Sequence, residues 1–262
     1  MLHEITILEA LFLGLVQGFT EWLPISSSGH LVIFQALLNV SVPSEFDIVI
    51  MTGTIVALIL YFRKKILSLF KGLLDGDRIA INYIILILLT GIPTGIIGFA
   101  GRKFFKSLYG QPVGVSILII ITGIFLLIAS RQKKQDAQIT RKSALLIGIA
   151  QGIAVAPGIS RSGSTIGTAI LLGIKPRDAA EFSFLIAIPA MIVATLLTFI
   201  EVPAAGTGFT LLFVAIIAAF VAGYASIGVF MRLLDENRLY YFGLYCIMAG
   251  TTFAILTHLA GY

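Results

Sequence analysis

Charge is scarce in this chain of 262 residues: Asp, Glu, Lys and Arg make up 12% of it, where a soluble domain carries about 25%. Hydrophobic residues make up 58% and the mean hydropathy is +1.03, which excludes water as the main solvent. There is a single cysteine, Cys246, so an internal disulfide is excluded; it lies in an apolar run and reads as packing. A basic leader is missing too, since Met1-Leu2-His3-Glu4 carries an acid, so no signal peptide is expected to be cleaved. Histidine occurs three times. His3 and His258 fall near the ends and read as interfacial, without a role, which leaves His30 inside an apolar stretch.

The net charge of +5 does not point to nucleic acid, because the cations stand in short clusters between apolar runs, such as Arg63-Lys64-Lys65 and Arg131-Gln132-Lys133-Lys134. That is the topology pattern of a membrane protein. Six stretches, about 46–62, 79–100, 111–130, 178–200, 209–231 and 239–259, are nearly free of charge and close to the ~20 residues that cross a bilayer. Two more apolar regions, about 4–40 and 143–174, are each cut midway by a Pro, Gly and Ser cluster. Neither part of either region is long enough to cross, so both read as re-entrant helical hairpins, tolerated where protein or a wet cavity satisfies the freed backbone.

A constant offset of 134 residues, without a gap, lays 11–30 (LFLGLVQGFTEWLPISSSGH) on 145–164 (LLIGIAQGIAVAPGISRSGS). The identical pairs include Gly14/Gly148, Gln17/Gln151, Gly18/Gly152, Ser26/Ser160, Ser28/Ser162 and Gly29/Gly163. Two repeats follow, 1–133 and 134–262, each a re-entrant hairpin and three spans. An odd number of crossings makes the second enter from the opposite face. The expected fold is therefore an all-α polytopic membrane protein with six transmembrane helices and two re-entrant hairpins in an inverted-topology repeat. Alternate loops near 63–78, 131–142, 175–177 and 232–238 hold fourteen cations, against three (Arg102, Lys103, Lys106) on the other side. The richer side is expected to be cytoplasmic, with both termini outward. The three outer cations read as contacts to lipid phosphate headgroups.

The first hairpin tip, Glu21-Trp22-Leu23-Pro24-Ile25-Ser26-Ser27-Ser28-Gly29-His30, puts an acid, three hydroxyls and an imidazole at membrane depth, where ionisable groups default to function. The second, Pro157-Gly158-Ile159-Ser160-Arg161-Ser162-Gly163-Ser164-Thr165, again turns into a helix and adds a guanidinium that can fork onto phosphate oxygens. Helix starts attract anions, so a phosphate ester or pyrophosphate suits two opposed tips. Ser27 could attack phosphorus, and His30, one turn on, could activate it or protonate the leaving oxygen. Glu21 could hold a divalent cation or act as a base, with Gln17 on the same helical face. The competing readings are close packing for Ser26, Ser28, Ser160 and Gly163, a structural ion pair for Glu21 and Arg161, and a satisfied core imidazole for His30. Glu45 and Asp47 read as loop acids or cation ligands near the site, Asp178 and Glu181 as acids favouring a helix start.

On these two motifs, E-W-L-P-I-S-S-S-G-H and P-G-I-S-R-S-G-S-T, the chain resembles the bacterial undecaprenyl-pyrophosphate phosphatase family, known as bacitracin-resistance proteins, over nearly its full length. The resemblance implies hydrolysis of the terminal phosphate of a C55 isoprenyl pyrophosphate at the outer face of the plasma membrane, regenerating the lipid carrier of cell-wall precursors. It also implies a divalent cation, Mg2+ or Ca2+. Carried over by position, Glu21, Ser27, His30 and Arg161 are the catalytic set, with Glu21 the candidate metal ligand. Gln17, Ser26, Ser28, Gly29, Ser160, Ser162, Gly163 and Thr165 surround the substrate. Many members have a carboxylate where Gln17 stands, so Gln17 is expected to orient Glu21 and not to bind metal. A homodimer is compatible with this reading.

The type-2 phosphatidic-acid phosphatases share S-G-H and S-R fragments but need a histidine shortly after S-R; here none follows Arg161 until His258, which excludes that mechanism. The rival functions are a secondary transporter or flippase of an anionic lipid or solute, since broken helices in inverted repeats suit alternating access, and an anion channel, which Glu21 disfavours.

Overall fold

The computed structural model describes residues 3–43, 45–201, 208–235 and 238–261. The end residues 1, 2 and 262, whose side of the membrane the charge pattern addresses, lie outside them, as does the side chain of Glu45. Among the described residues the chain is helical apart from a two-residue parallel strand pair, β1 (His3–Glu4) with β2 (Val40–Ser41), and one isolated bridge.

Five helices are long and apolar enough to cross a membrane: α5 (Arg78–Ala100), α7 (Pro112–Ala129), α10 (Pro176–Glu201), α11 (Phe209–Asp235) and α12 (Leu239–Leu259). Their outward faces carry large apolar side chains such as Leu88, Ile96, Phe99, Val193 and Met248, the surface that lipid requires. The chain is an all-α polytopic membrane protein.

The sixth expected span, 46–62, is α3 (Glu45–Tyr61), 17 residues long. It reaches spanning length only together with α4 (Arg63–Leu74), from which it bends by 68°. The charge of the segment after it predicts a loop. The segment is a helix because Ile66, Leu69, Phe70 and Leu73 recur at the spacing of one helical face. Of that face Ile66 and Leu69 pack on the core while Phe70 and Leu73 stay exposed, as do Leu67 and Leu74. A second short helix, α6 (Arg102–Leu108), carries Arg102, Lys103 and Lys106.

The two interrupted regions are α1 (Ile7–Glu21) with α2 (Ser27–Leu38), and α8 (Arg141–Ile153) with α9 (Arg161–Leu171). At 11 to 15 residues, each is shorter than the ~20 a crossing needs. Their local devices recur 134 residues apart. Thr6 and Glu9 form a capping box on α1, as Thr140 and Ser143 do on α8, and each box satisfies two orphan amides. His3 N–H donates to Asn39 O at 3.0 Å, and Ala137 N–H to Gly173 O at 2.9 Å. The acceptors Asn39 and Gly173 both have positive φ, 55° and 84°.

Small residues set the packing of these helices. Gly14 and Gly18 bring α1 against the backbone of α11 at Ala215 and Ala219, and Gly148 and Gly152 bring α8 against α5 at Thr90 and Ile97. Close approach through Gly-x-x-x-Gly suits a bilayer, where dispersion and not water expulsion joins helices. A Cβ on Gly148 would lie 2.3 Å from Thr90 O, whereas one on Gly91 of α5 would meet nothing within 4 Å. Gly148→Ala is thus expected to cost about 1–3 kcal/mol, read as a lowered Tm in detergent. Gly91→Ala should leave the Tm unchanged or slightly raised.

Candidate functional site

Glu21 closes α1, the chain turns through 22–25, and α2 starts with Ser27. The N-cap Ser26 has φ 69° and ψ 88°, a conformation costly for a residue with a Cβ. It is held because Ser26 Oγ accepts from Gly29 N–H at 3.2 Å and Ser26 O accepts from His30 N–H at 3.1 Å. In the second tip, Gly158 at φ +95° lets the backbone pass α7, where a Cβ would sit 2.5 Å from Val115 O. Thr122 of α7 then pins the turn, donating to Gly158 O at 3.1 Å and accepting from Ser160 N–H at 3.2 Å. Ser160 caps α9 by accepting from Gly163 N–H at 3.0 Å.

The two tips touch. Ser162 Oγ donates to Leu23 O at 2.9 Å, and Cys246 Sγ of α12 donates to Pro24 O at 3.6 Å, so these two carbonyls of the turn are satisfied by protein. Arg161, the first residue of α9, sends Nη2 to Glu21 Oε1 at 2.6 Å. The pair is largely shielded, with side-chain exposures of 15% and 8%. The guanidinium lies 5.1 Å from the Trp22 ring, and Nη2 also meets Met191 Sδ at 3.3 Å. Its Nη1 is buried and finds no protein partner.

The other oxygen of Glu21 takes two donors, Gln17 Nε2 at 2.9 Å and Ser27 Oγ at 2.5 Å. Gln17, Glu21, Ser27 and Arg161 thus form one connected cluster drawn from α1, α2 and α9. Ser27 is half-buried, as is Ser28 beside it. Thr165 is directed away, bonding Arg161 O at 2.8 Å and Ser183 Oγ of α10 at 2.5 Å, and so steadies the first turn of α9.

His30 does not bond Ser27. Its Nδ1 meets Ser26 O at 2.8 Å and its Nε2 meets the Tyr245 hydroxyl of α12 at 2.9 Å. The one-turn spacing suggested a Ser27–His30 contact, but Ser27 is the first helical residue and its hydroxyl turns back to Glu21. Asp47 is buried at the start of α3, where Oδ1 accepts from Gln35 at 2.7 Å. Glu181 pairs across helices with Lys65 at 2.7 Å. Among the described residues no three of His, Cys, Asp and Glu lie together as metal ligands. Sequence reading missed Trp22, Thr122, Met191 and Tyr245. Only Trp22, inside the first motif, carried a local signal.

A carboxylate bonded to a hydroxyl, beside a guanidinium with an unused nitrogen, can deprotonate that hydroxyl next to a bound phosphate. The model of the family described as bacitracin resistance protein BacA matches residues 10–252. A protein of Bacillus thuringiensis (strain Al Hakam) named undecaprenyl-diphosphatase 2 is 37% identical over 257 residues, covering 93% of this chain and 95% of its own. Proteins named undecaprenyl-diphosphatase from Carboxydothermus hydrogenoformans and Methanosphaera stadtmanae are 38% and 36% identical, covering 95% and 96% of this chain and 96% and 98% of their own. With the family model spanning nearly the whole chain and both broken-helix motifs inside the match, this chain belongs to the bacitracin resistance protein BacA family.

Proposed function

We propose that this chain is an integral membrane phosphatase that converts undecaprenyl pyrophosphate to undecaprenyl phosphate and inorganic phosphate, and thereby confers bacitracin resistance. The observation that carries the chemistry is the Glu21–Ser27 hydrogen bond beside the unpartnered Nη1 of Arg161. In a membrane interior an unused guanidinium nitrogen is costly unless a ligand completes it, and a terminal phosphate does so.

Glu21 Oε2 takes the Ser27 proton as Oγ attacks the terminal phosphorus, and the bond from phosphorus to the bridging oxygen breaks, releasing the monophosphate lipid. Water then displaces Oγ, Glu21 returns the proton to it, and inorganic phosphate leaves. Nη1 of Arg161 and the first backbone amides of α2 and α9, which have no intrahelical acceptor, offset the charge that builds on the phosphoryl oxygens. Gln17 fixes the Glu21 rotamer.

The residues fit a divalent cation in one manner only. With one carboxylate in the cluster, the ion would be held mainly by pyrophosphate oxygens with Glu21 or water, as Mg2+ often is; Ca2+ would draw its larger shell from the same oxygens. When bound it would neutralise pyrophosphate charge. A chelator is expected to lower phosphate release from C15 and C55 diphosphates by about tenfold or more, and added Mg2+ to restore it. Absence of phosphate release from either lipid, with or without metal, would overturn the function.

The arrangement in the membrane belongs to the same proposal: two inverted halves, 1–133 and 134–262, re-entrant hairpins meeting at the site, the site and both termini outward in the plasma membrane. The matched capping boxes, bridges and Ser caps at an offset of 134 support the repeat. The cation asymmetry supports the orientation.

A further inference from the structure

His30 is 2% exposed and both its ring nitrogens are engaged. A carbonyl oxygen can only accept, so the 2.8 Å contact to Ser26 O puts the proton of the neutral ring on Nδ1. Nε2 then carries a lone pair, and the group facing it at 2.9 Å is the Tyr245 hydroxyl. The two rings are parallel within 6° at 5.8 Å, Phe253 meets the imidazole edge-on at 5.4 Å, and Phe34 lies 6.3 Å away. Tyr245 and Phe253 are eight residues apart on α12 and share a face.

We propose that Tyr245 is a positioning residue of the site: its hydroxyl donates to Nε2 and anchors the His30 ring with its Nδ1–H on Ser26 O, and His30 in turn holds the strained Ser26 turn that aims Ser27 at Glu21. Ser26 O accepts two bonds from His30, one from the backbone N–H at 3.1 Å and one from the ring at 2.8 Å. In the opposite tautomer the Nδ1 lone pair would face the carbonyl lone pairs, and the ring would repel the residue whose φ of 69° needs outside support. The Tyr245 O–H donated to Nε2 disfavours that tautomer, because two donors would then oppose each other unless the hydroxyl turned away and left its own proton unpaired. Packing alone does not require the hydroxyl, since phenylalanine would fill the same space. The inference rests on the phosphatase reading and extends the site to α12, 215 residues from His30.

The test compares Tyr245→Phe with Phe253→Leu, which removes a ring contact to the same imidazole without touching Nε2. With only three histidines in the chain, 15N spectra of imidazole-labelled protein in detergent resolve the tautomer of His30. Wild type is expected to show Nδ1–H. Tyr245→Phe is expected to keep Nδ1–H but to shift the Nε2 resonance as its hydrogen bond is lost, with kcat for phosphate release lowered about 10- to 100-fold and KM within about twofold. Phe253→Leu is expected to keep the wild-type Nε2 resonance. An unchanged His30 spectrum in Tyr245→Phe, kcat within about twofold of wild type, or the same spectral change in both variants would overturn the proposal. Loss of phosphate release by the wild type itself would instead overturn the function.

Discussion

Arg161→Lys is expected to lower kcat for phosphate release by about 10²–10³-fold in a protein that still folds. The guanidinium serves two directions at once: Nη2 is committed to Glu21 Oε1 at 2.6 Å, and Nη1 remains for substrate. Lysine is a point charge on a flexible stem and cannot span both in fixed geometry. It retains the positive charge, so Glu21 keeps a counterion and the fold is preserved. Alanine is a poorer probe, because removing one partner of a shielded pair costs about 3–5 kcal/mol and mixes stability with catalysis. Rates of phosphate release, with Tm measured alongside, check this. A lysine variant within about threefold of wild type would show that the guanidinium fork is not used on the phosphate.

Ser27→Ala is expected to have the larger effect, a loss of about 10⁴-fold or more, with little change in Tm. Ser27 is half-buried at the tip, and its removal leaves Glu21 still bonded to Gln17 and Arg161, so no buried charge is stranded. The methyl cannot attack phosphorus, and what activity remains would come from water placed by Glu21 and the arginine. Measured in single turnovers, wild type should pass through a phosphoserine at Ser27 that the alanine variant lacks. Substantial release by Ser27→Ala would transfer the attack to water and leave Ser27 as a hydrogen-bond donor to Glu21.

The parts of the fold written in local pattern were legible in the sequence. The broken helices follow from Pro, Gly and Ser clusters at 22–29 and 157–165, and the paired caps and bridges of the structure keep the offset of 134. Gly14, Gly18, Gly148 and Gly152, paired by that offset, lie where α1 approaches α11 and α8 approaches α5. What escaped was long-range or amphipathic. Charge at 63–65 masked α4, which is amphipathic and too polar overall to read as a span. Tyr245 and Cys246 of α12 serve the first tip across more than 200 residues of sequence, and nothing near them in the chain signals that contact. The spacing of Ser27 and His30 gave the right helix but the wrong partner, because a side chain at the first helical position can turn out of the helix.

Whether the two hairpin tips act as one catalytic unit is tested most directly by phosphate release from a C55 diphosphate in a double-mutant cycle of Glu21→Gln and Arg161→Lys. If the 2.6 Å pair joins them in a single transition-state assembly, the double variant will be scarcely slower than the slower single variant. If the two losses multiply, the tips act independently and a catalyst divided between them is contradicted.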